Sequence, residues 1–153
     1  MPRKYIYHYI TYDEYKCSHC GKLPAEFYHD DGGRREDVPL VYKPIFEAFA
    51  SIREEWGKPI YITSGYRCPD YQQRLIDNGV SHPLSAHMFG MALDMDCKNV
   101  KEVNKMYEVI KENQPELRVG YYIGTGTFIH IDTAYLIKPR LTPAWRPGIT
   151  WSK

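Results

Sequence analysis

Two short runs alternate apolar and polar residues with a period of two, and they restrict what this chain can fold into more than any other feature. In Met91-Ala92-Leu93-Asp94-Met95-Asp96, the side chains of Met91, Leu93 and Met95 point one way while Ala92, Asp94 and Asp96 point the other. In Phe128-Ile129-His130-Ile131-Asp132, Ile129 and Ile131 face one side and His130 and Asp132 the opposite one. Strands of this kind belong to a sheet that packs one face on a core and collects charged groups on the other. Charged groups in the middle of a buried strand are costly unless they are paired or bind a metal, so the polar face demands a partner.

The remaining elements surround these strands. Ile45, Phe49, Ile52 and Trp56 recur at helical spacing, which predicts a helix within residues 38–56 ended by Gly57. Ile60 to Thr63 reads as a strand, Ser64 to Cys68 as a loop, and Pro69-Asp70 opens a second helix that Asn78-Gly79 closes. Residues 80–90 read as a loop. Val100, Val103, Met106, Tyr107 and Ile110 mark a third helix, stopped at Gln114-Pro115. Leu117 to Ile123 and Phe128 to Thr133 are strand-like, with Gly124-Thr125-Gly126-Thr127 as a hairpin connection. The tail from Arg140, with two prolines and two tryptophans, is expected to wrap over the domain. The fold class is therefore α+β, a central antiparallel sheet with helices packed mainly on one face and the polar face on the other.

With 153 residues the chain suits a single domain, 1–153, built on a core of about residues 38–136. Its 43% hydrophobic and 25% charged residues exclude a disordered chain. Twenty basic side chains against nineteen acidic ones give a formal charge of +1, which provides no general attraction for nucleic acid or an anionic bilayer. No run is long and apolar enough for a spanning helix, and the first residues lack the apolar stretch of a secretory signal, so synthesis in the cytoplasm is expected. Fourteen tyrosines suit half-buried faces and shallow clefts.

Cys17-Ser18-His19-Cys20 has the C-x2-C spacing of half a zinc knuckle, but neither Cys68 nor Cys97 belongs to a second such pair. On spacing, a local turn with two thiols or a redox-dependent disulfide is the preferred reading.

His87, Asp94 and His130 form a different set. On one continuous helix, the seven residues from His87 to Asp94 would rise about 10 Å, too far for two donors to one ion. The chain must turn between them, and Gly90 supplies the freedom. If the strand of His130 pairs beside that of Asp94, cross-strand neighbours lie about 5 Å apart. Two imidazoles and a carboxylate around an open position have the composition of a catalytic zinc site, although a loop histidine and a surface carboxylate are ordinary alternatives.

The residues themselves carry a resemblance. Ser85-Ala86-His87-Met88-Phe89-Gly90-Met91-Ala92-Leu93-Asp94 resembles the S-x-H-x-x-G-x-A-x-D signature of the M15 zinc peptidases, matching all five fixed positions. That group contains D-Ala-D-Ala carboxypeptidases and L-alanyl-D-glutamate peptidases and shares the hedgehog-type fold. Ser64-Gly65-Tyr66-Arg67 is similar to the family's S-G-[YF]-R loop, and Phe128 to Asp132 to its late ligand strand. The opening Tyr12 to Cys17, followed by the C-x2-C, resembles short single-domain members, many of them phage endolysins.

The resemblance implies zinc on His87, Asp94 and His130, with Arg67 holding the substrate carbonyl or the developing oxyanion. Ser85 lies close to the metal as support for a ligand or substrate, and Tyr66 lines the cleft. Many relatives carry an acid three residues before the last histidine, where this chain has Thr127. Asp132 is then either the general base or the group that orients His130, and Asp96 is a further candidate for either task. The implied activity is cleavage of an amide in the peptide stem of peptidoglycan by a monomer, without nucleic-acid or membrane partners. Phage origin and action on the cell wall after release complete the expectation. The alternative is a non-catalytic zinc-containing binding or structural protein of the same fold.

Overall fold

The computed structural model describes residues 4–124 and 126–153. In chain order the elements are strands β1 (Tyr5–Tyr7) and β2 (Ile10–Thr11), helix α1 (Tyr12–Tyr15), helix α2 (Lys43–Trp56), strand β3 (Ile62–Ser64) and helix α3 (Pro69–Asp77). Strand β4 (Ala92–Asp96), helix α4 (Val100–Asn113), strands β5 (Arg118–Tyr122) and β6 (Phe128–Asp132), and strand β7 (Thr150–Ser152) follow. Among the described residues, no helix is long and apolar enough to cross a membrane.

Five strands form one sheet in the order β3-β4-β6-β5-β7. The central pairs are antiparallel, and the register sets Asp94 opposite His130 and Leu93 opposite Ile131. β5 and β6 pair as a hairpin with Tyr122 opposite Phe128; Thr125 of the expected turn lies outside the described residues. The period-two pattern holds in three dimensions. Leu93, Met95, Val119, Ile129 and Ile131 join the main core with Ile45, Phe49 and Ile52 of α2 and Val103, Met106 and Ile110 of α4. Both long helices thus cover one face.

Three sequence expectations need correction. The sheet is mixed, because β7 of the tail pairs parallel with β5. Helix α2 begins at Lys43, and residues 38–42 are not helical. Pro44 sits in its first turn, the place where a missing N–H and a fixed φ are tolerated, while Pro39 further back would interrupt the helix. The expected loop 80–90 contains a 3-10 turn, Ala86–Phe89, capped by the Ser85 side chain.

The N-terminal elements clamp the sheet. Thr11 and Glu14 form a capping box at α1, and the second Glu14 oxygen accepts the Ile62 N–H of β3 at 3.1 Å. Tyr15 is fully buried; its hydroxyl donates to the Gly90 carbonyl at 2.6 Å and its own carbonyl accepts the Tyr66 N–H at 2.8 Å. One side chain and its backbone thereby fix both loops that flank the polar face.

Candidate metal centre

Each donor of the centre comes from an element built to present it. His87 is the second residue of the 3-10 turn, which Ser85 caps: the His87 N–H donates to Ser85 Oγ at 3.3 Å. The turn closes at Gly90, which has φ +71° and donates its N–H to the His87 carbonyl. A Cβ there would also lie 2.7 Å from the Tyr15 hydroxyl and 2.8 Å from the Tyr42 ring, so only glycine suits the position. Asp94 projects from β4 and His130 from β6, directly across the ladder.

The three side chains converge. His87 Nε2 is 3.1 Å and His130 Nδ1 is 3.0 Å from Asp94 Oδ1, and the two nitrogens are 3.2 Å apart. Exposure is only 2% for His87, 6% for Asp94 and 8% for His130. The other ring nitrogens are already engaged: His87 Nδ1 donates to the Gly65 carbonyl at 2.6 Å, and His130 Nε2 donates to Asp132 Oδ2 at 2.6 Å. A carbonyl and a carboxylate can only accept, so both rings carry their proton on the outer nitrogen and turn a lone pair inward when neutral. Two nitrogen lone pairs and a carboxylate oxygen within hydrogen-bond distance, in a buried site, repel one another unless a cation or a proton sits between them. The donor set therefore fits a divalent metal of the kind imidazole and carboxylate ligands hold.

Charge is distributed along a chain of contacts. Arg67 Nη2 lies 3.5 Å from Asp94 Oδ2, and Arg67 Nε donates to Ser64 Oγ at 3.3 Å. On the far side, Arg118 Nη1 is 3.6 Å from Asp132 Oδ2. Burial works to raise the Asp94 carboxyl, but the neighbouring imidazoles override it and hold it well below the ordinary carboxylate range. For His130 burial disfavours the charged ring, yet the hydrogen bonds to Asp132 and Asp94 outweigh it and push its pKa up to about 9. Burial leaves His87 shifted downward. Without a metal, one proton on His130 is thus the group that relieves the crowding.

The sequence pattern matches these positions. The family described as peptidase M15 matches residues 25–132, more than half of the chain. The chain belongs to the peptidase M15 family. No curated protein and no solved structure matches it significantly. Membership makes the chain a metallopeptidase of the hydrolase class by family, and His87, Asp94 and His130 of this M15 peptidase are its candidate metal ligands.

The other residues singled out in the sequence fall at different distances from this centre. Arg67 and Asp132 touch it directly, and Ser85 acts one step away through the turn of His87. Asp132 is 1% exposed and both its oxygens are occupied, Oδ2 by His130 and Oδ1 by the Ala134 N–H at 3.1 Å. Asp96 is exposed at the end of β4, opposite Phe128, and is not among the converging donors. Tyr66 is half-buried and packs against the main core, where burial raises its phenol to about 12. The Thr127 hydroxyl donates to the Cys97 carbonyl at 2.6 Å.

Two residues of this M15 peptidase were not visible in its sequence. Trp151 of β7 lies over Gly120, its ring centroid 5.3 Å from that of His130 and 4.8 Å from the Arg118 guanidinium, and its indole N–H donates to the Tyr122 hydroxyl at 3.0 Å. Arg118, 8% exposed, supports Asp132 from β5. Trp145 packs with Ala86, Ala92 and Ala134, so the tail wraps over the polar face as its composition suggests. A clue to Trp151 existed only in Gly120, a small residue in the middle of a strand.

Proposed function

We propose that this M15 peptidase hydrolyses an amide bond in the peptide stem of bacterial peptidoglycan, with zinc held by His87, Asp94 and His130. The observation that carries the reading is the convergence of three buried lone-pair donors beside the Arg67 guanidinium. A zinc ion held by such a set supplies Lewis acidity toward a carbonyl. The chain's own groups do the rest. Arg67 offers donors where negative charge develops on the carbonyl oxygen. Asp132 fixes the tautomer and orientation of His130, and the engagement of both its oxygens favours this task over that of a general base. Gly65 fixes His87 in the same way through its carbonyl. A hedgehog-type arrangement of the sheet and an endolysin role on the cell wall belong to the same proposal.

A non-catalytic zinc-containing protein is the second reading, favoured by one observation: Asp132, the carboxylate that contacts His130 from the same strand, has both oxygens engaged, by His130 and by the Ala134 N–H. Mass spectrometry of muropeptides released from defined peptidoglycan decides between the two. Wild type should release trimmed or cleaved stems and His87→Ala should not. Equal inertness of both, with zinc bound by the wild type, establishes the second reading.

A further inference from the structure

A second cluster of metal-ligating side chains includes Cys68, the residue directly after Arg67. Cys17, Cys20 and Cys68 bring their sulfur atoms within 4.8 Å of one another, although Cys68 is far from the C-x2-C pair in sequence. All three thiols are free. Four-coordinate zinc with bonds of about 2.3 Å spaces its thiolates about 3.8 Å apart, so closure onto an ion asks each pair to approach by at most about 1 Å.

The backbone is shaped for thiolates. The Cys17 N–H donates to the Lys22 carbonyl at 2.9 Å and the Gly21 N–H to the Cys17 carbonyl at 2.8 Å, with Gly21 at φ +73° closing the turn after Cys20. The Cys68 N–H points at Cys17 Sγ over 3.3 Å, and the Tyr71 N–H at Cys68 Sγ over 3.5 Å. Burial pushes the Cys17 thiol up, but backbone N–H groups of Cys68, Cys20 and His19 outweigh it and bring it below its ordinary value. Burial, together with the neighbouring Cys17 and Cys20 sulfurs, pushes Cys68 up to about 11. Three thiolates held within 4.8 Å of one another would repel unless a cation lay between them.

We propose that Cys17, Cys20 and Cys68 bind a structural zinc ion, separate from the His87, Asp94 and His130 centre. Thiolate ligands select a soft or borderline ion, and zinc is the common one. His19 is stacked on Tyr71 and is not one of the converging donors, and Cys20 is exposed, so the fourth position opens to solvent or a small thiol. The ion would fasten the N-terminal turn to the loop that carries Gly65, the acceptor for His87 Nδ1, and Arg67, whose N–H donates to the His87 carbonyl at 3.1 Å. The inference does not depend on the proposed hydrolysis.

Metal analysis of the full chain, purified under reductant with zinc, tests it. Wild type should hold two zinc ions per chain, Asp94→Ala one, and Cys17→Ser/Cys20→Ser one. Loaded with cobalt, Asp94→Ala should retain a thiolate-to-metal charge-transfer absorption that the cysteine variant lacks. One ion in wild type and none in Asp94→Ala, or an intact mass showing a disulfide among these cysteines after anaerobic purification, overturns the proposal. Should the cysteine variant fail to fold, the Asp94→Ala cobalt spectrum alone decides, because only the thiolate site then remains.

Discussion

His130 donates through Nε2 to Asp132 Oδ2 over 2.6 Å, and this one bond determines which face of the imidazole meets Asp94. Asp132 is in turn held by the Ala134 N–H and faces Arg118, so the carboxylate cannot rotate freely. Asp132→Asn keeps the shape but allows the amide to present its NH2 group to the ring, favouring the wrong tautomer. Zinc affinity should fall about 10- to 100-fold. Activity at saturating zinc should stay within a few-fold of wild type. Competition against a chromophoric chelator measures the first and muropeptide release the second; a large loss of turnover with unchanged affinity would instead make Asp132 the base.

Arg67 makes its closest charged contact with Asp94 Oδ2 and contributes no donor to the metal set. Arg67→Ala should therefore leave zinc stoichiometry intact while turnover falls about 100- to 1000-fold, as for removal of an oxyanion donor. Lysine should restore little, since its single ammonium cannot contact Ser64 and a carbonyl oxygen in the planar fork that arginine offers. Metal analysis alongside kinetics separates this from a loss of ligand geometry.

The metal-free protein should show its own pH dependence. The folded pKa of His130 is raised to about 9 from an ordinary 6.5, so its contribution to stability is fully present below about pH 6.5 and is lost as pH rises through about 9. The melting temperature of metal-free protein should decline over that window. Zinc must displace the same proton, so binding near neutrality should release about one proton and tighten about tenfold per pH unit until pH 9. Calorimetric titration in buffers of different ionisation enthalpy counts the proton. A flat melting profile together with no proton release would show that His130 is neutral without metal.

What could be read in the sequence depended on separation along the chain. Asp94 and His130 were legible because each sits in a period-two strand whose apolar neighbours fix which way it points, and Gly90 marked the turn that returns His87. Helix α4 was legible from its spacing alone. Cys68 was not connected to Cys17, 51 residues away, since spacing rules see only local pairs. The link from Tyr15 to Gly90 spans 75 residues and involves a tyrosine like thirteen others. Thr150-Trp151-Ser152 is too short to announce a strand, and only the docking of the tail against β5 makes it one.

That docked tail should be sensitive to a single methyl group. A Cβ on Gly120 would lie 2.5 Å from Trp151 Cε2, so Gly120→Ala must displace the indole from His130 and Arg118. Overpacking of this kind costs about 1–3 kcal/mol. The denaturation midpoint should drop accordingly, and adding Trp151→Ala should remove most of the extra cost, leaving the double variant close to Trp151→Ala alone. Strict additivity of the two changes would mean that Trp151 does not rest on Gly120 in solution.

The most severe single change predicted outside the ligands is Gly65→Ala. A Cβ there would meet the Tyr15 carbonyl oxygen at 2.7 Å and Tyr15 Cα at 2.8 Å, and both belong to backbone that is locked by α1 and the Tyr15–Gly90 hydrogen bond. Neither neighbour can yield, so the loop itself must move. Its carbonyl then leaves His87 Nδ1, and Arg67 shifts with it. The variant should lose about 2 kcal/mol or more of stability, the cost of a clash that the core cannot absorb. Zinc affinity should drop about tenfold or more as His87 loses the group that orients it. Gly124→Ala is the control: its Cβ meets nothing closer than 3.8 Å, so it should stay within about 0.5 kcal/mol of wild type with zinc affinity unchanged. Paired denaturation curves and chelator competition on the two variants check both outcomes, and equal behaviour of the two would show that the Arg67 loop is not pinned by Tyr15.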